Sequence, residues 1–325
     1  MKIFLTGVAG FVGSHVAQAL LEKGHSVSGV DSLNAYYDPA LKRARLARLQ
    51  VRNGSAFTQA DIADSLELAR AAAGESFDVI VHLAAQAGVR HALDDPGAYT
   101  QSNLVGHHNI LELGRHMKGL AHLIYASSSS VYGNDTTPPF SEEARADRPV
   151  SYYGATKRAG ELMSHSYAEL FGLNLTGLRF FTVYGPWGRP DMAYWLFTDA
   201  ILRGKPLKLF GGGHLRRDFT WIDDIVAAVV RMTEAPFAHQ GSGAPHRLYN
   251  LGNSHPQDVL TLIRTIEQAT GKSAIIEHAS GPAGDVKETY ADVSRAARDF
   301  GFKPSTTLAE GIPRFVHWFR DYHRL

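Results

Sequence analysis

The stretch from Lys2 to Asp31 constrains the chain more than any other. Lys2 to Thr6 reads as a short buried strand, Gly7-Val8-Ala9-Gly10-Phe11-Val12-Gly13 as a turn, and Ser14 to Lys23 as an apolar-periodic helix. His25 to Val30 makes a second strand that ends at Asp31. Strand, glycine turn and helix in this order begin a parallel βαβ unit. Gly7 permits the tight turn, Gly10 lets backbone approach a pyrophosphate, and Gly13 lets helix and strand pack closely, with the helix N-terminus facing the anion. The spacing is G-x-x-G-x-x-G, not G-x-G-x-x-G. Asp31 stands roughly 20 residues past the turn, where a carboxylate binds the adenosine ribose hydroxyls and repels a 2′-phosphate. The pattern favours NAD over NADP; an ordinary βαβ unit with a solvated aspartate is the plainer alternative.

Further strands and helices alternate to about residue 180. Asp38 to Arg52 is basic and helical in pattern, and Ala56 to Ala60 is strand-like before Asp61 and Ile62. Lys42 and Asp61 are candidate adenosine-side contacts, or plain surface. Phe77 to Leu83 is an apolar strand, and Ala84-Ala85-Gln86-Ala87-Gly88 after it has the small residues needed where backbone lies against a cofactor. Leu120 to Ala126 delivers Ser127-Ser128-Ser129-Ser130-Val131-Tyr132-Gly133 at a strand's C-terminal edge, where open parallel sheets bind ligands. Leu173 to Phe181 is the next strand, and Thr182-Val183-Tyr184-Gly185-Pro186 turns out of it. Trp187 to Met192 is too rich in turn formers for regular structure. Then come Pro206 to Phe210, three glycines, and Arg216-Arg217-Asp218-Phe219; Arg217 reads as a phosphate clamp or as half of a surface ion pair. Arg247 to Leu251 can return to the first sheet, while Gln257 to Thr270 and Leu308 to Tyr322 read as helices of a smaller lobe. The predicted class is α/β: a Rossmann-like doubly wound parallel sheet with a smaller C-terminal α/β lobe.

With 325 residues and 44% apolar content, such a chain buries a large core. Its 33 basic and 32 acidic residues form no long block of either sign, which argues against a nucleic-acid surface. Zero cysteines exclude a disulfide framework and a thiolate metal site, and fit a reducing compartment. The apolar run at Met1 is too short for a signal segment or a membrane span, so a cytoplasmic protein is expected. The 16 histidines include no His-Glu-x-x-His, and His107-His108 reads as helix surface, so no metal is expected.

Ser151-Tyr152-Tyr153-Gly154-Ala155-Thr156-Lys157 opens a further helix. Tyr153 and Lys157 fall at i and i+4 on one face, and a phenol beside a fixed ammonium has a lowered pKa. Such a tyrosine can act as a base near neutral pH, with a serine hydroxyl from 127–130 to relay or orient a substrate proton.

Together these residues resemble the extended short-chain dehydrogenase/reductase family, and within it the nucleotide-sugar 4-epimerases acting on UDP-glucuronate. The likeness runs the whole length. It is carried by Asp31-Ser32-Leu33-Asn34-Ala35-Tyr36-Tyr37-Asp38-Pro39, by Ser127 to Gly133, by Leu178 to Met192 and by Arg217 to Asp224. The resemblance implies that Tyr153 removes the C4 hydroxyl proton while hydride passes to NAD, with Lys157 lowering its pKa and Ser128, then Ser129, beside the substrate O4. It extends the NAD-binding set from Gly7, Gly10, Gly13, Asp31, Lys42 and Asp61 to Phe11, Val12, Ser32, Asn34, Ile62, Leu83, Ala84, Ala85, Gln86, Asn103, Phe180 and Val183. It puts Gly88, Arg90, Thr182, Arg189, Lys208, Phe210, Arg217 and Asp285 on the UDP-sugar. Residues 1–178 with a return at about 218–252 would bind NAD, and 179–217 with 253–325 the nucleotide sugar. A homodimer is implied, with Asn103 to His116 and Tyr153 to Phe171 as candidate interface segments. Relatives that dehydrate or decarboxylate carry carboxylates near this strand end; Ser129 and Ser130 favour simple epimerisation. A UDP-hexose 4-epimerase, a UDP-glucuronate decarboxylase and an NAD-binding scaffold are the alternatives. Two departures stand out: Thr182 where many relatives have asparagine, and Pro282 where they have an arginine. One diphosphate contact is then missing, which leaves more to Arg217, and Asp285 either reaches a ribose hydroxyl or stabilises its turn.

Overall fold

Each apolar run up to Phe180 becomes a strand of one sheet in the computed structural model, which describes residues 1–134, 136–236, 243–279 and 288–325. In chain order the elements are β1 (Lys2–Thr6), α1 (Phe11–Glu22), β2 (Ser26–Asp31), α2 (Pro39–Gln50), β3 (Ser55–Gln59), α3 (Ser65–Ala71), β4 (Val79–His82), α4 (Pro96–Thr100), α5 (Gly106–His116), β5 (His122–Ser128), α6 (Tyr152–Phe171) and β6 (Leu175–Phe180). There follow β7 (Thr182–Tyr184), α7 (Ala193–Arg203), β8 (Pro206–Phe210), β9 (Arg216–Arg217), β10 (Phe219–Trp221), α8 (Ile222–Glu234) and β11 (His246–Leu251). The chain closes with β12 (Gln257–Asp258), α9 (Val259–Thr270), β13 (Ile275–Ala279), β14 (Glu288–Thr289), α10 (Ser294–Phe300) and α11 (Leu308–His323).

The seven-stranded sheet runs β11-β6-β5-β4-β1-β2-β3, and β1 to β6 pair in parallel. This is the doubly wound topology that the alternation predicts. Strand order reverses beside β1, and the crevice at the C-terminal ends of β1 and β4 is where such sheets bind ligands. Phe4, Ile80, Leu123 and Leu175 are fully buried, and each apolar side chain of this size stabilises the fold by about 1.5–3 kcal/mol.

The chain forms two compact units. One comprises Met1–Asp135, Arg145–Phe180 and Val226–Tyr249; the other comprises Thr136–Ala144, Phe181–Ile225 and Asn250–Leu325. In the second unit β7 pairs with β10, β9 lies between β12 and β14, and β8 pairs with β13. Apart from boundary shifts at 179–180 and 250–252, two longer segments fall differently from the expected division. Residues 136–144 join the second unit because Asn250 holds them: its Nδ2 donates to Phe140 O at 2.7 Å, and its N–H to the Glu142 carboxylate at 2.7 Å. Residues 218–225 join it because Asp218 accepts from Ala291 N at 3.0 Å and Ser254 N at 3.0 Å, while β10 pairs with β7.

Other local expectations shift. Helix α1 begins at Phe11, so two of the three glycines lie before or at its N-cap and Gly13 within its first turn. Strand β5 continues through Ser127 and Ser128, whose small side chains stay in register with Arg179 and Phe180. Thr182–Tyr184 is a strand instead of a turn. His107 is not helix surface: it is 4% exposed, stacks on His82 with ring centroids 5.3 Å apart, and hydrogen-bonds Ser164 Oγ at 2.9 Å. Its neighbour His108 is exposed, as expected.

Candidate active site

The glycine turn is built by contacts that forbid side chains. Gly7, at φ +75°, donates to Val30 O at 2.7 Å, and a Cβ on it would lie 2.7 Å from Ala84 N. A Cβ on Gly13 would lie 2.0 Å from Gly7 O. Close backbone approach at two points is therefore the reason for these residues. The first turn of α1 has neither an acidic residue nor a side-chain cap on Gly10, so the Phe11 and Val12 N–H groups form a site suited to an anion. Phe11 is buried and Val12 half-buried.

Asp31 is aimed at this turn by the backbone. Its carboxylate accepts from Ala9 N at 3.1 Å and from Leu33 N at 2.9 Å, which leaves lone pairs for a diol. Lys42 is buried and donates to Asn34 O at 2.9 Å and Asn34 Oδ1 at 2.7 Å. Burial lowers its pKa, and the Asp31 charge works in the opposite sense. Ser32 is half-buried beside them, and its carbonyl accepts from Gln59. Asp61 is exposed and caps Ala63 N at 2.9 Å, while Ile62 sends its side chain into the core.

The loop after β4 is tied down through one asparagine. Asn103 lies in a π-helical turn at 101–105; its Oδ1 accepts from Gln86 N at 2.9 Å and its Nδ2 donates to Gln86 O and Thr156 Oγ1, both at 3.0 Å. Leu83, Ala84 and Ala85 are half-buried before it. Gln86 Nε2 is buried with no hydrogen-bond partner among the described residues. A buried donor left unpaired is costly, and an acceptor on a bound molecule removes that cost. The open helix N-terminus, the Asp31 carboxylate and this orphaned amide fit a dinucleotide.

The Tyr–Lys pair sits on α6. Ser151 caps the helix through Gly154 N at 3.0 Å, and Gly154 packs so closely on the serine run that a Cβ would lie 2.4 Å from Ser130 O. The first turn of α6, with Tyr153 in it, is thereby set against 127–130. Tyr153 is half-buried, and the buried Tyr99 packs its ring edge on it at 6.0 Å between centroids. Tyr99 in turn donates to Ala87 O at 2.9 Å and to Gly88 O, with Gly88 at φ +98°. Arg90 is exposed on the same loop. Lys157 is 8% exposed and donates to Ala126 O at 2.8 Å; burial lowers its pKa to about 8, against an opposing pull from the Glu161 carboxylate. Ser128 Oγ accepts from Ser130 N at 3.1 Å, so its O–H is left to donate; Ser129 is half-buried next to it.

Sequence reasoning missed what lies behind this pair. Glu161 and Arg179, each 1% exposed, form a bidentate ion pair with both N···O distances at 2.8 Å, and Ser127 Oγ donates to the same carboxylate at 2.6 Å. The signal was present as a glutamate at i+4 after Lys157 and an arginine just before the end of a buried strand.

Phe180, half-buried, ends β6 in register with Ser128. In the second unit Thr182 and Val183 lie on β7, and Thr182 N donates to Asp218 O at 3.1 Å. Arg189 grips Asp191 through Nε at 3.0 Å and Nη2 at 2.6 Å. Lys208 is exposed and Phe210 half-buried on β8. Arg217 lies half-buried on β9 and donates to Arg216 O at 2.9 Å. Asp285 and Pro282 lie outside the described residues. Among the described residues no cluster of histidine or carboxylate groups could hold a metal ion, and no helix is long and apolar enough to cross a membrane.

A parallel sheet with an anion-ready glycine turn, a strand-end carboxylate, a half-buried tyrosine and a buried lysine one helical turn apart fits the class of nicotinamide-dinucleotide-binding enzymes. The chain belongs to the NAD dependent epimerase/dehydratase family, whose pattern matches residues 3–252. It is 44% identical over 335 residues to protein CapI of Staphylococcus aureus, covering 100% of both chains. To a probable UDP-glucuronate 4-epimerase of Rhizobium meliloti (strain 1021) it is 44% identical over 338 residues, covering 100% of this chain and 98% of that one. Its backbone is similar, with TM-score 0.90 and 34% identity, to the crystal structure of UDP-glucuronic acid 4-epimerase from Bacillus cereus in complex with UDP-glucuronic acid and NAD, covering 99% of this chain and 100% of that one.

Proposed function

We propose that this chain is an NAD-dependent isomerase that interconverts UDP-glucuronate and UDP-galacturonate through a 4-keto sugar. The observation that carries the reading is likeness over the full length to relatives named for that reaction, joined to the Tyr153–Lys157–Ser128 arrangement. NAD, when bound, supplies a reversible acceptor for the C4 hydride. Tyr153 takes the C4 hydroxyl proton and later returns one, and the Lys157 ammonium favours its phenolate. Ser128 donates its O–H to the sugar O4. The cycle has no net redox change, so no added nicotinamide is needed. We assign NAD to the first unit, on the glycine turn, Asp31 and Gln86, and the UDP-sugar to the second, through Arg217 and its neighbours.

A decarboxylase reading is the closest rival. A 4-ketouronate is a β-keto acid and loses carbon dioxide once the breaking bond aligns with the carbonyl π system. Hydroxyls such as Ser128, Ser129 and Thr182, with Arg189, are proposed to hold the carboxylate out of that alignment. Thr182→Val is then expected to raise the UDP-pentose share of product; an unchanged ratio counts against the idea. A homodimer and a cytoplasmic location belong to the same proposal, supported by Leu162 at 54%, Leu170 at 71% and Phe171 at 46% exposed on α6 and by the absence of cysteine. The decisive experiment incubates purified protein with UDP-glucuronate, without added nicotinamide, and resolves products by proton NMR. UDP-galacturonate at equilibrium with substrate supports the reading. A UDP-pentose as sole product, or no conversion, overturns it.

A further inference from the structure

Resting on the reading of Tyr153 and Lys157 as the catalytic pair, we propose that Glu161 is a positioning residue for that pair. Its buried carboxylate stands one helical turn beyond Lys157 and is locked from three directions, so it presents a fixed negative charge to the lysine that serves Tyr153.

The geometry comes first. Tyr153, Lys157 and Glu161 follow one another at i, i+4 and i+8 along one face of α6. Glu161 has no freedom to move. Arg179 on β6 grips it bidentately, Ser127 on β5 donates at 2.6 Å, and Arg158 donates at 3.0 Å from its own helix. Arg179 is braced in turn by the Tyr132 ring, 4.7 Å from its guanidinium carbon. Burial raises the carboxyl's pKa, but the Arg179 pairing outweighs it and holds Glu161 below the usual carboxylate range, so the group is an anion at working pH.

The surroundings of Lys157 make that anion matter. The Nζ donates to the neutral Ala126 carbonyl. His82 on β4 and His107 on α5 also interact with Lys157 electrostatically, but burial pushes His82 well below its usual range and His107 to about 3. Both rings are neutral where the enzyme works. Tyr125 on β5 is pushed up by burial and stays a neutral phenol. The Glu161 carboxylate thus opposes the desolvation that strips the lysine of its proton. A lysine without its charge cannot lower the pKa of Tyr153. The same carboxylate ties the strand residue beside Ser128 to the helix that carries Tyr153 and Lys157.

The test measures kcat and KM against pH for the NAD-loaded enzyme, with Tyr153→Phe as the reference. Glu161→Gln keeps shape and removes the charge. It is expected to move the alkaline limb of kcat toward lower pH by about one unit or more. At pH 8 kcat is expected to fall about fivefold, with KM for UDP-glucuronate changed by less than about twofold. Because Glu161→Gln leaves Arg179 buried without its counter-charge and can fail to fold, the double variant Glu161→Gln/Arg179→Met is measured beside it. Replacing both members of a buried pair is often tolerated. A double variant that folds, carries NAD and keeps the shifted alkaline limb supports the proposal. A wild-type profile in either variant overturns it, for Glu161 is then only a partner of Arg179. Turnover in Tyr153→Phe close to wild type would instead overturn the reading of the pair itself.

Discussion

Lys157 shows how a single residue sets the chemistry here. Desolvation brings its pKa to about 8, so it is mostly charged at neutral pH and loses its proton as pH rises through that value. Turnover is therefore expected to fall above about pH 8, on a kcat profile measured at saturating UDP-glucuronate. Lys157→Met should lower kcat by about 10²–10⁴ at pH 7.5. Gln86 makes a different prediction. Its Nε2 is a buried donor without a partner among the described residues, and its Oε1 accepts a long 3.4 Å bond from Asn34, so Gln86→Leu removes the cost of the unpaired donor from the ligand-free chain for the loss of one weak bond, and removes a contact from the loaded one. Its apo melting temperature is expected to hold or rise while the NAD carried through purification falls; unchanged NAD content would refute a cofactor role. At this scale the sequence told much. Gly7, Gly13 and Asp31 were legible because their constraint is local, a turn followed by a strand end. Glu161 and Arg179 were not, because a charged pair enters a core only when both partners arrive, and they come from different elements.

Among the elements, α6 does the most. Gly154 breaks no helix, yet its lack of a Cβ lets the first turn lie on Ser130 O. Gly154→Ala should gain about 1 kcal/mol of helix propensity and still lower kcat, since the helix must back away from the serine run. Comparing kcat with thermal stability checks this, and wild-type kcat in a stable variant would refute it. Periodicity identified α6, α2 and the sheet strands, which are long or strongly apolar. It misjudged α5, where His107 looks polar in sequence but faces inward to a stacked imidazole and a serine hydroxyl. Hydrophobic pattern cannot see a polar side chain whose hydrogen bonds are all satisfied inside.

For the whole molecule, buried imidazoles set an acid limit. Burial holds His107 at about 3 and His122 at about 4, and pushes His82 well below its usual value of 6.5. Each folded pKa is lower than the unfolded one, so below pH 6.5 the unfolded chain binds protons that the native chain refuses. From pH 6.5 up to about 8, where Lys157 starts to titrate, these histidines should leave stability flat, and beneath 6.5 it should fall by up to about 1.4 kcal/mol per pH unit for each histidine. Melting temperatures from pH 7.5 down to 5 check this, and a flat profile across that span would contradict it. The division into units was only half legible. Residues 136–144 belong to the second unit through Asn250, a partner about 110 residues away that no local pattern announces.

That division has a consequence for how the chain is made. It passes between the two units at residues 135, 144, 180, 225 and 249, so neither unit exists as one continuous piece. Strand β6 stays the open edge of the sheet until β11 has been synthesised. At roughly 5–20 residues per second, the ribosome leaves that edge unpaired for several seconds. During synthesis this is the interval in which the nascent chain most needs shielding from its neighbours.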